Sequence, residues 1–389
     1  MDASTLLEHD GLSEDLVDLD VYASAPGRVE FIGNHTDYNG GWVLGATIDR
    51  RTAVGLSVRG DRQITLESAE GGLPVEVPLH SVEAQSGEEA WANYVLGVLA
   101  ILRAEGLDVP SGFHLQVGST LPVGAGLSSS AALELATAFA LNEAFDGDFD
   151  RKTLARIGRR AENEFVGVPC GLLDQAVVAF GSEDRLVCLD ARSEEVSTVP
   201  FPPETQIWIF RTPQDHALAD ADYQDRYDES RAARAKLDEL LGGVDHLASV
   251  SPEALESVQD QLPEVLFRRA RHISTEHRRV QQVVQRLKER DREAVGDLLF
   301  GSHESSRVDY ENSTPELDFL VGLLAKCDQV LGSRLTGAGF GGAVMAWTRG
   351  HFDEAQAEIV AEKYADQFGE ELTVLPCQTG PGARVQGDL

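Results

Sequence analysis

Four short segments of this 389-residue chain hold residues whose types and spacing can do chemistry. The first runs Ala25-Pro-Gly-Arg-Val-Glu-Phe-Ile-Gly-Asn-His-Thr-Asp-Tyr-Asn-Gly-Gly41, and within it Arg28, Asn34, His35 and Asp37 lie beside glycines. Such a cluster offers a fixed cation and several donors and acceptors to a polyol. The alternative is that the glycines only make turns and His35 caps a strand. The second is Leu121-Pro-Val-Gly-Ala-Gly-Leu-Ser-Ser-Ser-Ala-Ala132, covering Gly124, Ala125, Gly126, Leu127, Ser128, Ser129 and Ser130. A glycine run leading into an alanine-rich helix leaves backbone N–H groups unpaired at the helix start, and with the dipole they form an anion site suited to nucleotide phosphates. A buried helix needs one serine as a cap, so three exceed that need. No Walker A lysine follows, which excludes the P-loop fold. The spacing is also wrong for a Gly-x-Ser-x-Gly nucleophile elbow.

The third segment, Ala161-Glu-Asn-Glu-Phe-Val-Gly-Val-Pro-Cys-Gly-Leu-Leu-Asp-Gln175, carries Glu162 at a helix end and Asp174 after a tight break. Two carboxylates on different elements can enter one site, one holding Mg²⁺ and the other attending an acceptor hydroxyl. Taken alone, Glu162 reads better as a solvated helix-face acid. The fourth, Gly337-Ala-Gly-Phe-Gly-Gly342, formally matches Gly-x-Gly-x-x-Gly but precedes a β-like Ala-Val-Met-Ala-Trp rather than a helix. A dinucleotide site is therefore not expected. A loop in close approach to a ligand or a domain interface suits these glycines better.

The elements that must position these residues follow from periodicity. Residues 21–33 read as an extended segment, 43–58 as strands around Asp49–Arg51, and 63–67 as a further strand. Trp91, Val95, Val98 and Leu102 share one helical face, and Phe113–Val117 alternates. The apolar run from Ser128 to Ala144 reads as a buried helix, and Asp150 caps the next one. Strands are expected near 185–190 and 206–211 around a connector with Pro200, Pro202 and Pro203, the best candidate for a domain junction. Amphipathic helices follow at 215–241, 262–290, 292–303 and 315–326, then a strand at 343–347, a helix at 352–368 and a strand at 371–376. Mixed elements in both halves predict a two-domain α+β protein, with an N-terminal domain at 1–200 and a C-terminal domain at 201–389.

The formal net charge of −32 disfavours nucleic acid and anionic membrane as partners. No apolar stretch approaches the roughly 20 residues that span a bilayer. Met1 to Asp20 lacks the basic and apolar regions of a signal peptide, and Cys170, Cys188, Cys327 and Cys377 show no metal-ligand spacing. A cytoplasmic protein with reduced thiols is expected. Only Lys152, Lys236, Lys288, Lys326 and Lys363 supply lysine, and the acids are scattered rather than blocked. A solvated acidic surface in a salt-rich cytoplasm fits that pattern, because salt screens self-repulsion. An ordinary acidic protein is the alternative.

Together the segments resemble the galactokinase branch of the superfamily that includes homoserine, mevalonate and phosphomevalonate kinases. Trp91-Ala-Asn-Tyr-Val, Gly167-Val-Pro-Cys-Gly-x-x-Asp-Gln175 and His216-Ala-Leu-Ala-x-x-x-Tyr223 extend the likeness across residues 22 to 385 in the expected order. The resemblance implies transfer of the γ-phosphate of MgATP to the anomeric hydroxyl of a hexose, between two domains of that superfamily's α+β type. It places Asp174 at the anomeric hydroxyl with Arg28 beside it, and Mg²⁺ on Ser130 and Glu162. It puts the phosphates on 124–130 and the base near Trp91 and Tyr94. Asn34, His35, Asp37, Gly171 and Tyr223 fall on the sugar. The partners are ATP and a small sugar, with no nucleic acid or membrane, in a monomer or weak dimer. One departure concerns specificity: Asn34 stands where the family usually has a glutamate facing the far end of the hexose. An amide would not repel a uronic acid, so galactose remains the first expected substrate, with galacturonate or another C6-altered hexose as its competitor. Gln224 also stands where the family usually has Asn. A non-catalytic galactose and ATP-binding regulator is the second class, against which the complete Gly-Leu-Ser-Ser-Ser-Ala-Ala run counts. A kinase for an isoprenoid or amino-acid alcohol is the third, and should lack His35, Asp37 and Tyr223.

Overall fold

A computed structural model of the chain describes residues 19–69, 71–122, 126–213 and 219–386. Gly124, Ala125 and the connector around His216 lie outside the described residues, as do positions 1–18.

The chain enters on β1 (Val21–Ile32), buried along its whole length and antiparallel to β2 (Trp42–Val58). The sequence suggests a break in β2 around Asp49–Arg51, yet the strand runs through. Arg51 stays buried because its guanidinium donates to Ser24 and to the carbonyls of Pro381 and Gly382. The charge that looks like an interruption is thus absorbed by a returning C-terminal segment. β3 (Gln63–Ser68), β4 (Val75–Pro78), α1 (Asn93–Ala104) and β5 (Phe113–Ser119) follow, β5 pairing with both β2 and, in parallel, β3. α2 (Ser129–Ala144) lies against β1 and β2, buried on most sides as its continuous apolar composition requires. α3 (Arg151–Arg160) is capped by Asp150, which accepts from the Thr153 N–H at 2.8 Å. It runs into a π-helical turn over Ala161–Val166 that stops at Gly167, where φ is +89°. α4 (Leu173–Phe180), β6 (Arg185–Asp190) and β7 (Glu195–Pro200) complete this part, β6 pairing with the first residues of β2.

Pro200 closes β7 and Thr205 opens β8 (Thr205–Arg211) of a second, four-stranded antiparallel sheet. Between β8 and its partners come α5 (Ala219–Leu241), α6 (Pro252–Ser257), α7 (Glu264–Glu289), α8 (Arg292–Ser305) and α9 (Pro315–Leu324). β9 (Val330–Thr336), β10 (Ala343–Arg349), α10 (Glu354–Phe368) and β11 (Thr373–Cys377) complete the sheet in the order β11-β8-β10-β9. The chain then returns: β12 (Arg384–Val385) pairs with β1 at Ala23 and Ser24 in the first sheet. One core, around β1, β2, α1 and α2, also takes Ile207, Ile209, Met345 and Trp347 from one face of the second sheet, and a second core around Trp208, Phe210, Leu320 and Tyr364 covers its other face.

Candidate active site

The segments singled out by composition converge where β1, the start of α2, α4 and the 337–342 loop meet. Arg28 of β1 holds Asp174 of α4 through a fork: Nε donates to Oδ1 and Nη2 to Oδ2, each at 2.7 Å. Its third arm, Nη1, donates to the carbonyl of Gly126 at 2.7 Å. Gly27 has no room for a side chain, since a Cβ would come within 2.8 Å of the Leu127 carbonyl. Ser128 takes a left-handed conformation at φ +56°, ψ +52°, unusual for a residue with a Cβ. Its hydroxyl donates to Asp174 Oδ2 at 2.5 Å and does not cap α2. A capping serine would have satisfied one of the orphan N–H groups. Here no side chain among the described residues caps them, and the serine ties the phosphate-type loop to the carboxylate. Three donors occupy Asp174, leaving one of roughly four lone-pair positions, on Oδ1, for an acceptor hydroxyl.

On one side of Asp174 lies a polar cavity of ≈160 Å³, lined by Arg28, Glu30, Asn34, His35, Asp37, Tyr38, Cys170, Gly171, Leu173, Asp174, Tyr223, Gly337 and Ala338. Every residue assigned to a sugar by resemblance sits here. The glycine loop, expected beside a ligand or a domain interface, supplies a wall. Gly171 is required by packing, since a Cβ there would fall 1.9 Å from Asp37 Oδ2. Burial, with Asp174 nearby, pushes the Asp37 carboxyl up to about 7. Tyr223 stacks 5.5 Å from the His35 ring.

Two of these residues are engaged in ways that motif spacing does not reveal. His35 is buried and its pKa is lowered to about 3, with burial the main cause. Its Nε2 faces the Ala338 carbonyl at 3.0 Å, which fixes the proton there, so Nδ1 accepts from Tyr38 Oη at 2.8 Å. Tyr38 Oη then accepts from Tyr310 Oη at 2.8 Å. Asn34 is held on all sides: Nδ2 donates to the Gly337 carbonyl at 2.7 Å, and Oδ1 accepts from Asn312 Nδ2 at 2.8 Å. Its backbone C=O meets His272 Nε2 at 3.0 Å, and its N–H reaches Glu276 Oε1 at 3.3 Å. The amide therefore clamps the first signature to the C-terminal glycine loop.

A second, larger cavity of ≈480 Å³ is lined among others by Gly72, Trp91, Tyr94, Ser129, Ser130 and Leu133, so it reaches the residues next to Ser128. Trp91 Nε1 donates to the Leu73 carbonyl at 3.2 Å, and Gly72 packs on the indole. Glu162 is buried, unlike a solvated helix-face acid, and sits on the π-helical turn. It accepts from Ser130 and, at 2.8 Å, from Gln175 Nε2, which also donates to buried Glu134 at 2.9 Å. Burial first, then the Asp174 charge, raises its pKa. Tyr310 and Glu134 lie outside the quoted segments, and Glu30, Tyr38 and Gln175 lie within them but were given no role there, because each looks like ordinary strand or helix filling until the fold brings it to the site.

The chain matches the family model described as GHMP kinases N terminal domain over residues 93–182 and the GHMP kinases C terminal model over 283–370. Both halves thus define a kinase of the GHMP superfamily. The galactokinase galactose-binding signature matches residues 16–58, the stretch that contributes Arg28 to Tyr38. A galactokinase of Roseiflexus sp. (strain RS-1) is 37% identical over 362 residues, covering 93% of this chain and 92% of that protein. One from Thermotoga petrophila is 39% identical, covering 92% and 98%. The crystal structure of Lactococcus lactis galactokinase complexed with galactose superposes with a TM-score of 0.90 at 32% identity, covering 98% and 97%. The chain belongs to the galactokinase family.

Proposed function

We propose that the chain is an ATP-dependent sugar-1-kinase that transfers the γ-phosphate of MgATP to the anomeric hydroxyl of D-galactose, giving α-D-galactose 1-phosphate. The observation that carries this is Asp174, which lines the smaller cavity, is forked by Arg28 and is bonded to Ser128, next to the Ser129 and Ser130 that line the larger one. The acceptor hydroxyl sits against Oδ1 of Asp174, and Arg28 stabilises charge on the attacking oxygen and the phosphoryl group. The residues from Gly124 to Ser130 and the free N–H groups of α2 hold the phosphates. Trp91 and Tyr94 flank the base. Asp37, Gly171 and Tyr223 shape the sugar site, with His35 and Asn34 holding its walls.

The donor set fits Mg²⁺. Among the described residues no three His, Cys, Asp or Glu side chains gather into a protein-only metal cluster. Mg²⁺ instead favours one or two protein oxygens plus substrate phosphates, and Ser130 with Glu162 offers that pair. When bound, the ion neutralises charge on the β- and γ-phosphates. The scattered acids and the net charge of −32 support a salt-adapted enzyme, and we read it as cytoplasmic and as a monomer or weak dimer. No helix among the described residues is long and apolar enough to cross a membrane.

The test is ADP release with galactose, N-acetylgalactosamine, galacturonate, glucose and arabinose, at low and high salt and with Mg²⁺ varied. Galactose should rank first. Binding of galactose and ATP without ADP release would identify a regulator and defeat the kinase reading. A second expectation concerns pH. With Asp37 titrating at about 7, kcat/KM for the sugar falls as pH drops below that value, because the protonated carboxyl accepts fewer hydroxyl hydrogen bonds. An Asp37→Asn variant should lose this acid limb; an unchanged profile would show that another group sets it. The sign for stability is opposite: the raised pKa favours the fold below the unfolded value of about 4, and that contribution fades as pH rises through 7.

A further inference from the structure

Glu30 lines the sugar cavity, yet nothing in the phosphoryl-transfer scheme uses it. It lies on β1 two residues beyond Arg28, in a stretch where pairing with β2 is regular (Arg28 with Thr47, Glu30 with Gly45). Side chains at i and i+2 share a face of a strand and stand about 7 Å apart. That is close to the span of a hexose ring from its anomeric hydroxyl to the hydroxyls opposite. With Arg28 fixed at the reacting end, Glu30 stands at the distal end.

Its carboxylate is held for this purpose. Oε1 meets Arg334 Nη1 at 2.9 Å and Asn34 Nδ2 at 3.4 Å, while Oε2 has no partner among the described residues. Burial raises the Glu30 pKa, and fully buried Arg334, with Arg28, opposes that rise without cancelling it. The neighbouring amide of Asn34 cannot substitute, because its donor and acceptor are engaged by Gly337 and Asn312.

We propose that Glu30 is the specificity-determining residue for the C4–C6 end of the substrate, accepting a hydrogen bond from a distal hydroxyl through Oε2 and excluding a sugar with a carboxylate at C6. This rests on the galactose 1-kinase reading and sharpens it. Glu30, Asp37 and Asp174 face the cavity with Arg28 as the one lining cation among the described residues. Such a site favours a neutral sugar, so Asn34 does not by itself admit a uronic acid.

The test compares galactose, 4-deoxygalactose, 6-deoxygalactose and galacturonate on the full chain, by calorimetric binding and by kcat/KM. Wild type should disfavour at least one deoxy sugar by about 10- to 100-fold, as expected for a hydrogen bond to a charged group. Glu30→Gln and Glu30→Asp should each shrink that ratio to about threefold or less, and Glu30→Gln should gain binding of galacturonate. Glu30→Asp keeps a charge for Arg334, so it carries the test if Glu30→Gln fails to fold. Unchanged ratios in a folded variant, or a wild type indifferent to both deoxy sugars, would overturn the assignment. Because the ratio is read in binding as well as turnover, a protein that discriminates but releases no ADP would defeat the kinase reading and leave Glu30 standing.

Discussion

Replacing Asp174 with Asn should lower kcat by about 10³-fold or more while nucleotide affinity stays within about threefold. The amide loses the charge that receives the Arg28 fork and puts an N–H₂ group against either the guanidinium or the Ser128 hydroxyl, both of which are donors. The lone-pair position facing the acceptor hydroxyl is lost or misdirected in both orientations. Nucleotide binding should survive, because the N–H groups at the start of α2 and the Trp91–Tyr94 cavity do not depend on the carboxylate. Steady-state rates with ADP-release detection, set beside calorimetric titration of an ATP analogue, separate the two quantities. Near-normal turnover would remove Asp174 from the mechanism.

The second large effect concerns stability. Arg334 is fully buried on β9, with Nη1 on Glu30 and Nε donating to Ser302 Oγ at 3.0 Å. Ser302 in turn donates to Glu276 Oε1 at 2.6 Å, and Glu276 is paired with Arg279. Burial pushes the Glu276 carboxyl up, but Arg279, His272 and Arg334 outweigh it and hold its pKa at about 2. The four charges balance as two and two. Arg334→Leu leaves Glu30 buried with no ion-pair partner, and breaking such a pair costs about 3–5 kcal/mol. Equilibrium denaturation in urea should show that loss; a change below about 1 kcal/mol would mean water or a proton compensates freely.

Much of this was readable from the chain because the chemistry lies in continuous segments. Arg28, Ser130, Glu162 and Asp174 stand in runs whose glycines and serines are demanded locally, by close approach at Gly27 and by free helix N–H groups after Ser128. The Ser129–Ala144 helix announces itself by its continuous apolar composition, and the Arg151–Arg160 helix by its Asp150 cap. What the sequence did not disclose is side-chain direction. Ser128 reads as a phosphate or capping serine, but its backbone turns the hydroxyl to Asp174. Asn34 reads as a sugar contact, whereas its amide is engaged by Gly337 and Asn312, about three hundred residues away in the chain. Glu30 alternates like any strand residue, and its partner Arg334 lies on the opposite sheet. Such pairings become visible only once both domains are assembled.

The return of β12 to β1 has a consequence for biosynthesis. β1 carries Arg28 and Glu30 and is synthesised before β2 and long before the returning segment. Gly382, which accepts from Arg51, lies 331 positions further along. Until it emerges, β1 keeps an open edge and Arg51 lacks two of its acceptors, an arrangement that invites pairing with other strands. A message cut short before codon 380 would thus yield a chain with every catalytic residue present and the sheet beneath them unfinished. Closure of the sheet beneath Arg28 and Glu30 waits on the return segment, and a truncation that removes it should lower stability as well as activity.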